Sequence, residues 1–217
     1  MNCSNYLFPR TKFIAQGGVG LNFVPTDAYR EEDLTSVVIL GHSQVRRLSG
    51  ADPGEVSYRG PEGDRSFRFR YFSASGANIN SIRKSTAWQH AIYTKAPLTY
   101  IFIGGNDIHS GKAPNLYAEE IIQLVHEYEN ITKSFVKIIP IEARTNPRNI
   151  SAIEYGQIIN RVNRCLRRHP VSKDKFVAIP FRKDELCYDG IHLNKNAAVF
   201  KVRYLTAVST KFLERTE

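Results

Sequence analysis

From Ser36 onward, short runs of apolar and β-branched residues alternate with longer amphipathic segments, a rhythm that confines the chain to an α/β layer architecture. The runs at residues 37–40 (VVIL), 98–103, 135–139 and 176–179 are short and apolar, as strands buried on both faces are. Phe67, Phe69 and Tyr71 alternate with Arg68 and Arg70, which predicts a strand with one wet face, a pattern suited to a sheet edge. Between the runs, residues 116–128, 153–166 and 197–213 carry apolar positions at helical spacing, and a shorter helix is predicted over 80–93. Pro140, Pro147, Pro170 and Pro180 punctuate the ends. Strands joined through helices pair in parallel with right-handed crossovers, and such sheets bind ligands beyond the carboxyl ends of their strands.

The chain has 217 residues, 42% of them hydrophobic, enough for one well-buried core. Residues 36–217 are expected to form a single domain, preceded by an irregular lead-in over 1–35 that contains Gly17, Gly18, Gly20 and Pro25. The GGVG there lacks dinucleotide-binding spacing and precedes the first convincing strand. No stretch approaches the roughly 18 apolar residues of a membrane span, and the first residues lack the apolar centre of a secretory signal, so the expected location is intracellular. Cys3, Cys165 and Cys187 are odd in number and show no ligand spacing, which predicts free thiols and no metal site. The formal net charge of +9 is compatible with an anionic partner, nucleic acid included, or with solubility alone. Arg161, Arg164 and Arg168 share one helix face, as a solvated face would also arrange them, and no nucleic-acid-binding motif accompanies them.

Four short blocks fall after successive predicted strands. Ser43, in Gly41-His42-Ser43, follows the first strand, at a strand-to-helix turn where a serine serves as helix cap or as nucleophile. The segment is not the GxSxG elbow, because Val45 stands where its second glycine would be. Adjacent side chains on extended backbone point apart, so His42 is expected to be structural. Gly76, in Ser75-Gly76-Ala77-Asn78, is a turn glycine or a close-approach backbone donor. In Gly104-Gly105-Asn106-Asp107, Asn106 offers a neutral amide donor to an oxyanion, and Asp107 is expected to cap the turn. Asp189 and His192, separated by two residues of which one is Gly190, can pair within one loop, either as a local turn or as a base with its orienting carboxylate.

Taken together, GHS, SGAN, GGND and DGIHL resemble the SGNH hydrolase superfamily, the GDSL-type esterases and lipases, over residues 36 to about 213. The resemblance implies a three-layer α/β/α fold with a five-stranded parallel flavodoxin-like sheet. It implies Ser43 as nucleophile, Asp189 and His192 as acid and base, and an oxyanion hole from Ser43, Gly76 and Asn106, with no metal or cofactor. The common Gly-Asp-Ser is here Gly-His-Ser. The GHSQVRR and DGIHLN phrasing and the basic character also resemble the esterase-like modules of some eukaryotic retroelements.

Two functions follow as expectations. The first is a serine esterase that removes a short acyl group, such as acetyl, from a small polar substrate or an acylated polymer. The second is a catalytically idle module of the same fold that binds nucleic acid or another anionic partner. The set of polar residues on one rim favours the first, and the charge is the support for the second.

Overall fold

The structure is a computed structural model that describes residues 12–15, 21–24, 34–60, 63–109, 111–147, 150–179, 186–187 and 189–216. Cys3, Gly17, Gly18, Gly20, Pro25 and Pro180 lie outside the described residues. Two four-residue strands, β1 (Lys12–Ala15) and β2 (Leu21–Val24), occur within the segment expected to be irregular.

The central strand is β3 (Leu34–Gly41). Parallel to it lie β5 (Gly63–Ser73) on one side and β6 (Leu98–Phe102) on the other, and β7 (Phe135–Ile138) pairs in parallel with β6. The expected fifth parallel strand is reduced to one bridge: Phe176 pairs with Ile138, and the Val177 N–H donates to the Ile138 carbonyl at 2.9 Å.

The segment expected to be a sheet edge is flanked on both sides. An additional strand, β4 (Glu55–Gly60), forms an antiparallel hairpin with β5, and β1 and β2 extend the sheet beyond it in the order β2-β1-β4-β5-β3-β6-β7. The alternation in β5 reports one buried face: Phe67 and Phe69 are buried while Arg70 is exposed. One-sided burial arises at any strand whose second face is incompletely covered, so it does not locate an edge.

Residues 37–40 are inaccessible to solvent because their side chains alternate between two cores. Val38 and Leu40 join Trp88, Tyr117, Ile121 and Leu166 on one face of the sheet. Val37 and Ile39 join Val45, Tyr100, Val202 and Leu205 on the other. Burying each such aliphatic side chain contributes about 1.5–3 kcal/mol, which makes β3 the anchor of both layers.

Helices α4 (Pro114–Thr132) and α5 (Ala152–Arg168) cover the first face, together with the short α2 (Ile79–Ile82) and α3 (Thr86–Tyr93). The single helix expected over 80–93 is thus two, because Asn78 caps one start and the Ser85 hydroxyl accepts the Trp88 N–H at 3.2 Å to begin another. Helices α1 (Ser43–Ser49) and α6 (Lys195–Thr216) cover the second face. Among the described residues, no helix is long and apolar enough to cross a membrane. On α5, Tyr155, Ile159, Val162 and Leu166 are buried, and Arg161, Arg164 and Arg168 are exposed on the wet face.

Register places the site. Gly41, the last residue of β3, pairs with both Ser73 at the end of β5 and Phe102 at the end of β6. The segments carrying Ser43, Gly76 and Asn106 therefore leave the sheet at one level, on its carboxyl rim.

Candidate active site

Ser43 is the first residue of α1, and the N-cap is the residue before it, His42. The His42 Nδ1 accepts the Gln44 N–H at 3.3 Å, and its ring is buried against Phe102. Burial, followed by the charges of Arg144 and His192, holds the His42 imidazole down at about 3. It is a neutral cap, and its ring nitrogen at the cap position is an acceptor. The structural role expected for His42 is the one it occupies.

Ser43, His192 and Asp189 form a hydrogen-bonded chain. The Ser43 Oγ lies 2.9 Å from His192 Nε2, and His192 Nδ1 lies 2.7 Å from Asp189 Oδ2. The other carboxylate oxygen, Oδ1, accepts the N–H groups of Ile191 and His192, each at 2.9 Å. Desolvation pushes the Asp189 carboxyl up, but the hydrogen bonds from His192 and Ile191 and the His192 charge outweigh it and hold the group at about 2. With its carboxylate so held, Asp189 favours the imidazole tautomer that carries its proton on Nδ1 and leaves Nε2 facing the serine as an acceptor.

Gly190 shapes that loop. It has φ +67°, and a Cβ there would meet Thr145 Oγ1 at 2.2 Å. Its carbonyl accepts the N–H groups of Thr145 at 2.8 Å and Asn146 at 3.3 Å, which ties the loop bearing Asp189 and His192 to the segment after β7. That segment is itself anchored by a buried ion pair between Glu142 and Lys201 of α6 at 2.8 Å.

Asn106 is oriented from two sides. Its Nδ2 donates to the Ala77 carbonyl at 2.8 Å, and its Oδ1 accepts from Arg144 Nη2 at 2.9 Å. With the oxygen occupied, the second N–H of the amide is the group left to meet a ligand. Gly76 precedes Ala77 and has φ +74°, in a turn closed by the Ala77 N–H on the Ala74 carbonyl at 3.1 Å. A Cβ at Gly76 would meet nothing within 4 Å, so its positive φ is the constraint on this position and not crowding from the protein. Asp107 accepts the Ile79 N–H through both carboxylate oxygens, at 3.0 and 3.2 Å, and so caps the start of α2 as well as standing in its own turn.

Two residues in the site escape a reading of the sequence. Gln44 donates through Nε2 to the Ile191 carbonyl at 2.6 Å and accepts the Leu193 N–H through Oε1 at 3.0 Å. Arg144 reaches Asn106 while its guanidinium lies 5.6 Å from the centre of the Tyr155 ring. Gln44 lies in the GHSQVRR stretch without a role being legible there, Arg144 lies in no motif, and each acts across a long sequence separation. Among the described residues, no cluster of three or more His, Cys, Asp or Glu side chains is disposed to hold a metal ion.

No protein-family profile matches the chain, and no curated protein sequence does either. Solved structures do. An acylhydrolase structure from Bacteroides fragilis, described there as putative, superposes with a TM-score of 0.62 at 15% identity, covering 87% of this chain and 91% of that one. A carbohydrate esterase family 3 protein from Talaromyces cellulolyticus gives 0.56 at 15% identity, over 84% and 100%. An acetylxylan esterase from Geobacillus stearothermophilus gives 0.51 at 15% identity, over 80% and 93%. The fold is that of the SGNH hydrolases, an α/β sheet with helices on both faces.

Proposed function

We propose that the protein is a serine esterase that removes a short acyl group, such as acetyl, from a polar substrate through an acyl-enzyme intermediate. The observation that carries this is the chain from Asp189 through His192 to Ser43 on the carboxyl rim of the sheet, with the oriented amide of Asn106 on the same rim. The acetylxylan esterase and the carbohydrate esterase of like fold support the choice of a short acyl group and a polar substrate.

In this reaction His192 Nε2 takes the Ser43 hydroxyl proton as Oγ attacks the acyl carbon. The oxyanion is met by the N–H of Ser43, which as the first of α1 has no intrahelical partner, together with the Gly76 N–H and the Asn106 amide. Collapse of the tetrahedral intermediate breaks the bond to the alcohol, whose oxygen receives the proton from His192. Water, deprotonated by the same nitrogen, then attacks the acyl-enzyme and releases the carboxylic acid and Ser43. Asp189 keeps the imidazole oriented and stabilises the imidazolium.

Labelling with a fluorophosphonate probe at neutral pH tests the proposal. The wild-type protein is expected to take one label at Ser43, and Ser43→Ala none. Absence of label on the wild type, or equal labelling of the variant, removes the esterase reading.

A further inference from the structure

The cleft beside the nucleophile has a volume of about 580 Å³ and is lined by Ser43, Ser75, Cys187, His192 and Leu193, and by three cations, Arg46, Arg47 and Lys195. Arg46 and Arg47 extend from α1 and Lys195 opens α6, so the cations approach the cleft from two elements. All three are exposed, and among the described residues no carboxylate pairs with any of them. Two half-buried cations elsewhere do find partners: Arg83 pairs with Glu127 at 2.6 Å and Lys112 with Glu120 at 2.5 Å. Among the described residues of the site, the carboxylate of Asp189 is occupied by His192 and two backbone N–H groups.

The cleft also has a side. Its lining includes His192 but neither Gly76 nor Asn106. In a tetrahedral intermediate the oxyanion must face its donors while the leaving oxygen must face the general acid. A cleft on the side of His192 therefore receives the alcohol half of the ester.

We propose that this cleft selects esters whose alcohol half carries an anionic group of the phosphate, sulfate or carboxylate type. The proposal rests on the serine esterase reading and adds a substrate class to it. The cations act in two ways. They draw an anionic ester toward Ser43 from solution, an effect the net charge of +9 assists. They also hold its charged group once it is in the cleft, with Arg46 and Arg47 able to fork onto oxyanion oxygens and Lys195 acting as a point charge.

The test uses two acetyl esters matched in size, 4-acetoxybenzenesulfonate and 4-acetoxybenzenesulfonamide, one charged and one neutral. At low salt the wild-type protein is expected to favour the sulfonate in kcat/KM by about tenfold, the scale of a few screened charge contacts. The preference should shrink at 1 M salt, where screening acts over about 3 Å. In the triple variant Arg46→Gln, Arg47→Gln, Lys195→Gln the ratio of the two rates should fall to within about twofold, and this ratio is insensitive to the fraction of protein that folds. Equal kcat/KM values for the two esters in the wild type overturn the substrate class and leave the esterase reading standing. If neither ester is hydrolysed and Ser43 takes no label, the esterase reading fails, and binding of the product phenols still judges the cleft. Tighter binding of 4-hydroxybenzenesulfonate than of 4-hydroxybenzenesulfonamide, lost in the triple variant, supports anion selection; equal binding overturns it.

Discussion

Gln44, buried directly after Ser43, holds His192 from both sides: its amide donates to the carbonyl before that residue at 2.6 Å and accepts from the N–H after it at 3.0 Å. One side chain thus fixes the height of the imidazole relative to the helix that carries Ser43. Truncation by Gln44→Ala leaves two backbone groups without these partners, at a cost of about 1–3 kcal/mol each if they stay dry. The misplaced ring should slow acylation by up to about 10²-fold, because orientation errors near 1 Å carry penalties of that size. Gln44→Glu keeps the acceptor for Leu193 but sets a carboxylate against the Ile191 carbonyl, and should also slow it. Rates of Ser43 labelling and separate kcat and KM values decide the matter. A positioning role predicts loss in kcat with little change in KM, and rates within twofold of wild type in both variants would count against it.

His42 makes stability fall on the acid side. Its imidazole is held at about 3 in the fold by burial and by the charges of Arg144 and His192, whereas a histidine in an unfolded chain titrates near 6.5. Between those values the unfolded chain binds the extra proton, so stability is present above about pH 6.5 and is lost as pH falls toward 3. His42→Asn retains a good cap without that slope. In urea titrations from pH 7 to pH 4, the wild type is expected to lose about 3 kcal/mol more than the variant. Parallel pH slopes in the two proteins would contradict this.

Asp107 works in the opposite direction. Burial raises its carboxyl to about 6, with Glu120 adding to the rise and the Ile79 N–H, Lys112 and His109 opposing it. The folded state therefore binds the proton first, so this group's contribution is complete below about pH 4 and is lost as pH rises through 6. Asp107→Asn retains an acceptor for Ile79 and should have a higher thermal midpoint than the wild type at pH 7.5, with the gap narrowing toward pH 4. A variant less stable than the wild type at pH 7.5 would show that the charged carboxylate is needed.

Two glycines with similar backbone angles should respond differently to alanine. At Gly190 the strain of φ +67° is compounded by a Cβ placed 2.2 Å from Thr145 Oγ1 and 3.0 Å from the Asn146 nitrogen. Gly190→Ala should shift the loop bearing Asp189 and His192 and reduce Ser43 labelling at least tenfold, a scale consistent with about 1–3 kcal/mol of backbone strain plus overlap. Gly76→Ala meets open space and bears only the left-handed penalty of about 1–2 kcal/mol. Thermal midpoints and labelling rates compared side by side test the ordering, and the reverse order would refute it.

The sheet was legible where burial is two-sided. The run at residues 37–40 could hardly be anything else, and its ends fixed where Ser43 would emerge. Residues 55–60 were not legible as a strand, since the alternation of Val56 and Tyr58 with Glu55, Ser57 and Arg59 is too short to stand out and its order comes from pairing with β5. The flank beyond β5 was hidden for the same reason. That Ser43, His192 and Asp189 come together could be read because acyl transfer at a serine asks for those residue types, two of them within one loop. Gln44 and Arg144 could not, because a glutamine or an arginine becomes a positioning group only through what the fold carries to it. The charge was legible only in amount: the α5 arginines lie on a wet face, while Arg46, Arg47 and Lys195 meet at the cleft.

The hydrogen bond between Ser43 and His192 joins positions 149 residues apart. Ser43 belongs to the strand-to-helix turn after β3, and His192 lies on the loop before α6. On the serine esterase proposed above, Ser43 would meet its base only after nearly the whole domain has been synthesised and closed, so its reactivity would report a completed fold. A probe that marks Ser43 would count finished molecules and pass over partial ones.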